Sequence, residues 1–407
     1  MILVHKIRLY PNNEQATLFA KSCGVARFAY NWALAEWKRQ HEAGEKPNEG
    51  KLRKQLNAIK EEKFPWMGEV SKNAPQQAIK NLGTAFKNTF ARLKKGEKPG
   101  FPKFKRKGVH DSFRADNGPT KDIPNAVKVE GEKVRLPVIG WVNMAESVRF
   151  VGNIKSATVS READQWHVAL AVETKDRLSG RMDKGVVGVD LGVKTLATLS
   201  TGEVEEGPKA HKQLLGRIKR LSRSLCRKKK GSANRAKAKN KLARMHQRIA
   251  NVRKDNLHKL TSKLATEFEV IAVEDLNVKG MVKNHCLARA VSDAGFFEFR
   301  RQLEYKAAMT GAKVVVVDRW FASSKTCSAC GEIHDMPLSQ RWMVCSCGNT
   351  MDRDLNAAIN LRNYAVSSTV SVCGEEGSGP GRKTGAKPAS VKQKSSIELT
   401  RVGLYKS

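Results

Sequence analysis

Three groups of carboxylates and one group of thiols carry the chemistry this chain could perform. The stretch GVDLG places Asp190 in mid-strand, where aspartate is disfavoured and needs a reason to be. Strand alternation turns Val187, Val189 and Leu191 to one side and Gly188, Asp190 and Gly192 to the other. Two glycines beside an acid are expected to leave space there for a bound ion and a phosphate. EVIAVEDLNV ends a second apolar run on Glu274 and Asp275, and either could share the face of Asp190. MDRDLNAAINL opens a helix on Asp352 and Asp354, where unpaired N–H groups and the helix dipole favour acids. Asp354, Ala357, Ala358 and Leu361 recur at i, i+3, i+4 and i+7, which directs Asp354 at a sheet and leaves Asp352 as the expected cap or exposed acid.

Inward acids from two strands and one helix match the demands of two-metal phosphodiester cleavage. Divalent ions about 3.5–4 Å apart share carboxylates, one ion activating water and the other stabilising the leaving oxygen. Oxygen-only ligands select Mg2+ or Mn2+ over zinc. No His–Asp–Ser constellation and no P-loop competes, which argues against covalent catalysis and nucleotide hydrolysis. The thiols follow a different pattern: Cys327-x2-Cys330, fourteen residues, then Cys345-x-Cys347. Four thiolates close a tetrahedral shell and predict a structural zinc ion, with His334 as a less favoured substitute ligand. The second pair is spaced more tightly than is usual. Cys23, Cys226, Cys286 and Cys373 are scattered, which fits a reduced cytosol and not a secreted disulfide framework.

These groups must be held by elements the pattern also predicts. Residues 2–9 read as a strand, and Asn12 with Gln15 as a capping box opening a helical region that runs to about residue 97. Within it Ala78, Leu82, Phe86, Phe90 and Leu93 share one side, while Lys80, Lys87 and Lys94 form a basic stripe on another. The loop KPGFPKFKRKG mixes Phe101 and Phe104 with Lys103, Lys105 and Arg106, a composition suited to stacking on unpaired bases. Residues 126–173 turn to strand patterning, with a hairpin around Gly131 and alternation of Trp166, Val168, Leu170 and Val172, and predict a small β-barrel that includes the N-terminal strand. After Lys184 the texture is α/β. Residues 209–259 hold nineteen Lys or Arg and a single acid, Asp255; an apolar stripe of Leu214, Ile218, Leu221 and Leu225, broken at Gly231 and Ser232, predicts a two-helix hairpin. Arg217, Arg220, Arg227, Lys228, Lys229 and Lys230 are its candidate phosphate contacts. The tail, 365–407, is rich in Gly, Ser, Pro and Lys and is expected to be disordered.

Over 407 residues the formal charge is +35, a surplus that points to a polyanion partner and, in a soluble chain, to nucleic acid. Solubility alone needs a charge of only about 2–8 in a small domain. No apolar run is long enough to span a membrane, and MILVHKIRLY lacks the apolar core of a signal peptide.

GVDLGVKTLATLS, AVEDLNV, WFASSKTCSACG and DRDLNAAINL resemble, in order and spacing, the motifs of the TnpB family, and LYPNNEQATLFAKSCGVARFAYNWAL resembles its opening helical segment. The likeness covers roughly residues 1–364. It implies a multidomain α+β protein. An oligonucleotide-binding β-barrel (1–9 and 122–182) would carry an inserted helical recognition lobe (10–121), and an RuvC-like nuclease of the RNase H fold (183–364) would carry a zinc ribbon (322–351). By the same resemblance Asp190, Glu274 and Asp354 become the catalytic, Mg2+-binding triad, and Cys327, Cys330, Cys345 and Cys347 the zinc ligands. It further implies a guide RNA drawn from a transposon end and a double-stranded DNA target beside a short motif. One site would cut both strands, in the bacterial cytoplasm at the nucleoid. A guided DNA-binding repressor that does not cut, an RNase H-type transposase and a junction nuclease are the rival readings.

Overall fold

Strand β1 (Ile2–Tyr10) leads to Asn12, which opens the thirty-residue helix α1 (Asn13–Glu42) through the expected capping box with Gln15. The computed structural model describes residues 1–117, 126–174, 184–337 and 339–373. Helices α2 (Glu49–Lys63) and α3 (Asn73–Lys94) follow. Next come strands β2 (Ser112–Asp116), β3 (Lys128–Glu130), β4 (Lys133–Leu136), β5 (Gly140–Met144), β6 (Asn153–Glu162) and β7 (Gln165–Glu173). They form one antiparallel sheet in the order β2-β6-β7-β1-β5-β4-β3, so the N-terminal strand lies in its interior. The β3–β4 hairpin turns at Gly131, whose φ of 53° suits glycine. Trp166, Val168, Leu170 and Val172 are all buried, as their alternation requires.

The sheet also recruits β2 from inside the 10–121 segment read as a helical lobe. Helices and sheet share one core, where Phe19 meets Phe113 of β2 and Trp166 of β7 with ring centroids 6.0 and 5.1 Å apart. On α3 the apolar side is buried only as far as Phe86; Phe90 and Leu93 are exposed.

The second half begins with β8 (Val186–Leu191), β9 (Ala197–Leu199) and β10 (Val204–Glu205), followed by α4 (Ala210–Cys226) and α5 (Ala233–Glu267). Then come β11 (Val270–Glu274), α6 (Val278–Met281), α7 (Ala288–Ala294), α8 (Phe296–Thr310) and β12 (Lys313–Val317). A small ribbon, β13 (Trp342–Val344) and β14 (Thr350–Asp352), precedes α9 (Arg353–Cys373). The sheet order is β10-β9-β8-β11-β12, with β8, β11 and β12 parallel and β9 antiparallel to β8. Three layers result. Val187, Val189 and Ile271 face α5 and α8, through Leu260, Leu264 and Phe299, while Ala272 and Val317 face Leu361 and Ala365 of α9.

Helices α4 and α5 pair as a hairpin, Leu214, Ile218 and Leu221 packing on Leu242, Met245 and Ile249. Ser232 caps α5, and the Arg235 guanidinium donates to the carbonyls of Leu225 at 2.8 Å and Lys228 at 2.9 Å, closing the end of α4. At the other end of α4 the buried Asp293 carboxylate accepts from the His211 N–H and pairs with Arg253 at 2.8 Å. Helix α9 continues to Cys373, past residue 364 where the nuclease segment was expected to end and into the tail expected to be disordered. The remainder of that tail, 374–407, lies outside the described residues. No helix among the described residues is long and apolar enough to cross a membrane.

Candidate active site and metal centre

Strands β8 and β11 pair in parallel from Val186 with Val270 to Val189 with Val273, so Asp190 and Glu274 come next at the same edge of the sheet. Ligands of open α/β sheets bind at that carboxyl edge. Helix α9 lies close against the same face: a Cβ on Gly188 would sit 1.9 Å from the Ala358 carbonyl oxygen and 2.6 Å from the Arg362 nitrogen. The side chains Ala357, Ala358 and Leu361 are fully buried there, and Asp354 stands one turn earlier on the same helical face. The room expected for an ion and a phosphate at Gly188 and Gly192 is therefore taken by the chain itself. Helix α9 fills it at Gly188, and at Gly192 the Thr195 carbonyl lies 2.8 Å from where a Cβ would be.

Burial, and then the charges of Glu274 and Asp354, push the Asp190 carboxyl up to about 8, with Arg353 opposing the rise only in part. Of the acid pair ending β11, Glu274 is the one whose charge reaches Asp190, and it accepts a hydrogen bond from the Ser323 hydroxyl. Asp275 is held elsewhere, by Arg319 and by Arg300 at 2.6 Å, and those hydrogen bonds keep its carboxyl below the usual range. Asp352 caps α9, accepting from the N–H groups of Asp354 at 2.8 Å and Leu355 at 3.3 Å. The buried Arg353 donates to the Pro337 carbonyl at 3.0 Å and to the Ser324 hydroxyl at 3.2 Å.

The sulfur atoms of Cys327, Cys330, Cys345 and Cys347 all lie within 4.8 Å of one another, Cys327 and Cys347 at 3.7 Å and Cys330 and Cys345 at 3.4 Å. Zinc–sulfur bonds of about 2.3 Å define a tetrahedron with edges of about 3.8 Å, so this donor set fits zinc. The tight second pair still converges, because the Gly348 N–H closes back on the Cys345 carbonyl at 3.0 Å with φ of 89°. Burial raises the Cys327 thiol, but the N–H groups of Cys330 and Ala329 and the Asn349 amide together bring it down to about 6. His334 is not one of the four, but it lies with Glu332 and Cys345 in an overlapping group whose possible ligand atoms are within 4.8 Å of one another, its Nε2 3.7 Å from Glu332. Met336, Met343 and Met351 form the small core around the thiols. Elsewhere Cys23 is buried, which pushes its thiol up to about 12, while Cys226 and Cys286 are exposed.

Ser323, Asn356 and Asn360 escape a reading based on acids and thiols. The Asn356 side chain accepts from the Ser328 N–H at 2.9 Å and donates to the Thr326 carbonyl at 2.7 Å. Asn360 donates to the carbonyls of Ser323 at 2.8 Å and Thr326 at 2.6 Å. Two buried asparagines at i and i+4, flanking the alanine pair, are the one sequence signal that points to them.

The candidate nucleic-acid contacts are spread over three places. Lys80, Lys87 and Lys94 lie on α3, the last two exposed. Lys103, Lys105 and Arg106 are all exposed on their loop, though the Lys105 ammonium stands 4.4 Å over the Tyr30 ring and its backbone exchanges hydrogen bonds with Asn31 at 2.8 and 2.9 Å. Arg217 and Arg220 are exposed on α4, and Arg227, Lys228, Lys229 and Lys230 form the turn of the α4–α5 hairpin.

A family model described as "Probable transposase" matches residues 169–285, one described as "Cas12f1-like, TNB domain" matches 296–361, and one described as "Helix-turn-helix domain" matches 1–46. Residues 1–46 fold here as β1 and the single long helix α1. A protein of Streptomyces pristinaespiralis named "Putative RNA-guided DNA endonuclease" is 36% identical over 384 residues, which cover 91% of this chain and 90% of that one. Escherichia coli (strain K12) has "Putative RNA-guided DNA endonuclease InsQ", 33% identical over 392 residues, covering 91% and 93% respectively. Among solved structures, a chain of the Cas12f1-sgRNA-target DNA complex aligns over 89% of this chain and 99% of its own, with a TM-score of 0.52 at 15% identity, a likeness of fold. With curated relatives this similar over nine-tenths of both chains, the protein belongs to the TnpB family.

Proposed function

We propose that the protein is an RNA-guided DNA endonuclease of a bacterial insertion sequence, cutting double-stranded DNA beside a short adjacent motif. The observation that carries this is the place of Asp190 and Glu274 at the same carboxyl end of paired strands, where burial and then the charges of Glu274 and of Asp354 from α9 raise the Asp190 carboxyl to about 8. A stability-minded arrangement would separate such charges or pair them with cations. Asp190, Glu274 and Asp354 would hold Mg2+ or Mn2+, an all-oxygen donor set that suits hard cations. When bound, such ions activate water for attack on the phosphodiester and stabilise the departing oxygen. The chain's own part is to hold the carboxylates still: β8 and β11 fix two of them on a shared edge, and Asp352 caps the helix that brings the third. Cys327, Cys330, Cys345 and Cys347 would hold the structural zinc.

In this reading the seven-stranded sheet is the oligonucleotide-binding barrel, with α1–α3 inserted between β1 and β2 as the recognition lobe. The three-layered half is the RuvC-like nuclease of RNase H type, with the zinc ribbon set between β12 and α9. A guide RNA from the transposon end would bind the basic surfaces through its phosphates, leaving sequence choice to base pairing. The charge of +35 and the names of the bacterial relatives support this. The presence of all three acids favours cutting over the repressor reading, since a binder has no use for them. Asp190→Ala is expected to abolish cutting of a matched duplex in Mg2+ while guide-RNA and target binding persist. Continued cutting by that variant would refute the proposal.

A further inference from the structure

We infer that Ser323 is a positioning residue for the metal-holding carboxylates, its hydroxyl fixing the orientation of Glu274 toward Asp190 and Asp354. This rests on the reading of the carboxylate cluster given above and deepens it. Glu274 is the last residue of β11, and a glutamate has one more rotatable bond than an aspartate with which to wander. The Ser323 hydroxyl donates to its Oε1, which leaves Oε2 for the cluster.

Ser323 is itself held from several directions. It is buried, 4% exposed, in the segment that returns from β12 toward the zinc ribbon. Its N–H donates to the Phe321 carbonyl at 2.8 Å, and its own carbonyl accepts from Asn360 of α9 at 2.8 Å. The second bond of Asn360, to the Thr326 carbonyl at 2.6 Å, ties down the other end of the same short segment. The next residue, Ser324, accepts from Arg353, the neighbour of Asp354. One serine dipeptide thus touches the strand-borne half of the cluster directly and the helix-borne half through Arg353. Metal-ligating carboxylates are commonly hydrogen-bonded in this way, and loss of such a partner costs about 10–100-fold in metal affinity or activity.

The test uses the full chain with its guide RNA, as wild type, Ser323→Ala, Ser323→Thr and Asp190→Asn. With Ser323→Ala, the Mg2+ concentration for half-maximal cutting is expected to rise about 10–100-fold. Guide and target binding in EDTA, and the melting temperature, should stay close to wild type. Ser323→Thr, which keeps the hydroxyl, should restore most of the metal dependence. Mn2+ binding to the protein alone, followed through the free-ion paramagnetic resonance signal, should weaken in parallel. Wild-type metal dependence for Ser323→Ala in both readouts overturns the inference. So does a loss of cutting that neither Ser323→Thr nor saturating Mg2+ recovers. Cutting by Asp190→Asn would instead overturn the nuclease reading itself, so the two failures are distinguishable.

Discussion

Burial, and then the charges of Glu274 and Asp354, push the Asp190 carboxyl up to about 8 from the ordinary carboxylate value of 3.8. Between those two values the folded protein binds more protons than the unfolded chain, so this carboxyl makes metal-free stability fall as pH rises. Its favourable contribution is complete below the unfolded value and is lost as pH climbs through the folded one. Asp190→Asn removes the titration while keeping the shape. In EDTA near pH 8 the variant is expected to melt higher than wild type, by at least the roughly 2–4 °C that one kcal/mol produces in domains of 150–250 residues. The gap should close toward pH 4 in about the range of the ordinary carboxylate, and Mg2+ should close it at pH 8 by raising wild type alone. Scanning calorimetry with and without the ion decides the matter, and a variant that melts lower at pH 8 contradicts it. The neighbouring acids give a sharper contrast. Glu274→Ala is expected to abolish cutting, whereas Asp275→Ala should retain it, because Asp275 is committed to Arg319 and Arg300. Strand alternation could not separate those two, since alternation ceases to constrain a side chain where the strand ends. The arginines that settle their surroundings come from α8 and from the segment after β12, outside any local pattern.

At the scale of elements, α9 does the assembling. Its first turn carries Asp354, its middle packs on β8, and its asparagines grip the chain on both sides of Cys327. The close approach depends on Gly188, since a Cβ there would strike the backbone of Ala358 and Arg362, and backbone cannot rotate aside as a side chain can. Gly188→Ala is therefore expected to lift α9 from the sheet, destabilising the protein by about 1–3 kcal/mol or more. Cutting should collapse although every acid and thiol is retained. Melting and cleavage measured together on that variant test this, and full activity would show that the helix has slack. Much of α9 was legible in its sequence: the i, i+3, i+4, i+7 spacing assigned Asp354 its inward face, and Asp352 emerged as the cap. Gly188 was legible only in part. A glycine reports that something comes near, but which element fills the gap is decided by tertiary packing, and the occupant is a helix and not an ion or a phosphate. Ser323 and the asparagine pair were hidden for a related reason, because their partners are backbone carbonyls and N–H groups that have no sequence signature.

For the whole molecule the dominant fact is charge, +35 over 407 residues, and its densest projection is the α4–α5 hairpin. The hairpin was readable because helical periodicity is local: Leu214, Ile218 and Leu221 announce a packed face before any partner is known. The joining of β2 to the first sheet, and the shared core of Phe19, Phe113 and Trp166, were not readable, since those contacts link segments far apart in sequence. Ion pairs of the hairpin cluster away from its turn, Arg244 with Asp164 and Arg253 with Asp293, and so anchor it to the rest of the protein. Arg227, Lys228, Lys229 and Lys230 at the turn are the phosphate contacts proposed for the hairpin. Replacing all four with alanine should leave the hairpin folded, because its core is untouched and Arg235 bonds to backbone carbonyls that alanine retains. Every cation withdrawn from a phosphate should flatten the plot of log affinity against log salt by roughly 0.7–0.9, so four of them amount to a change of about 3. The weakening should be the same for every guide or target sequence, since phosphates carry no sequence information. Wild type and variant should converge at high salt, where the released counterions no longer favour binding. A slope unchanged by the four substitutions would mean that the turn is merely a solvated helix end, and would move the phosphate-binding surface to α3 and the loop that follows it.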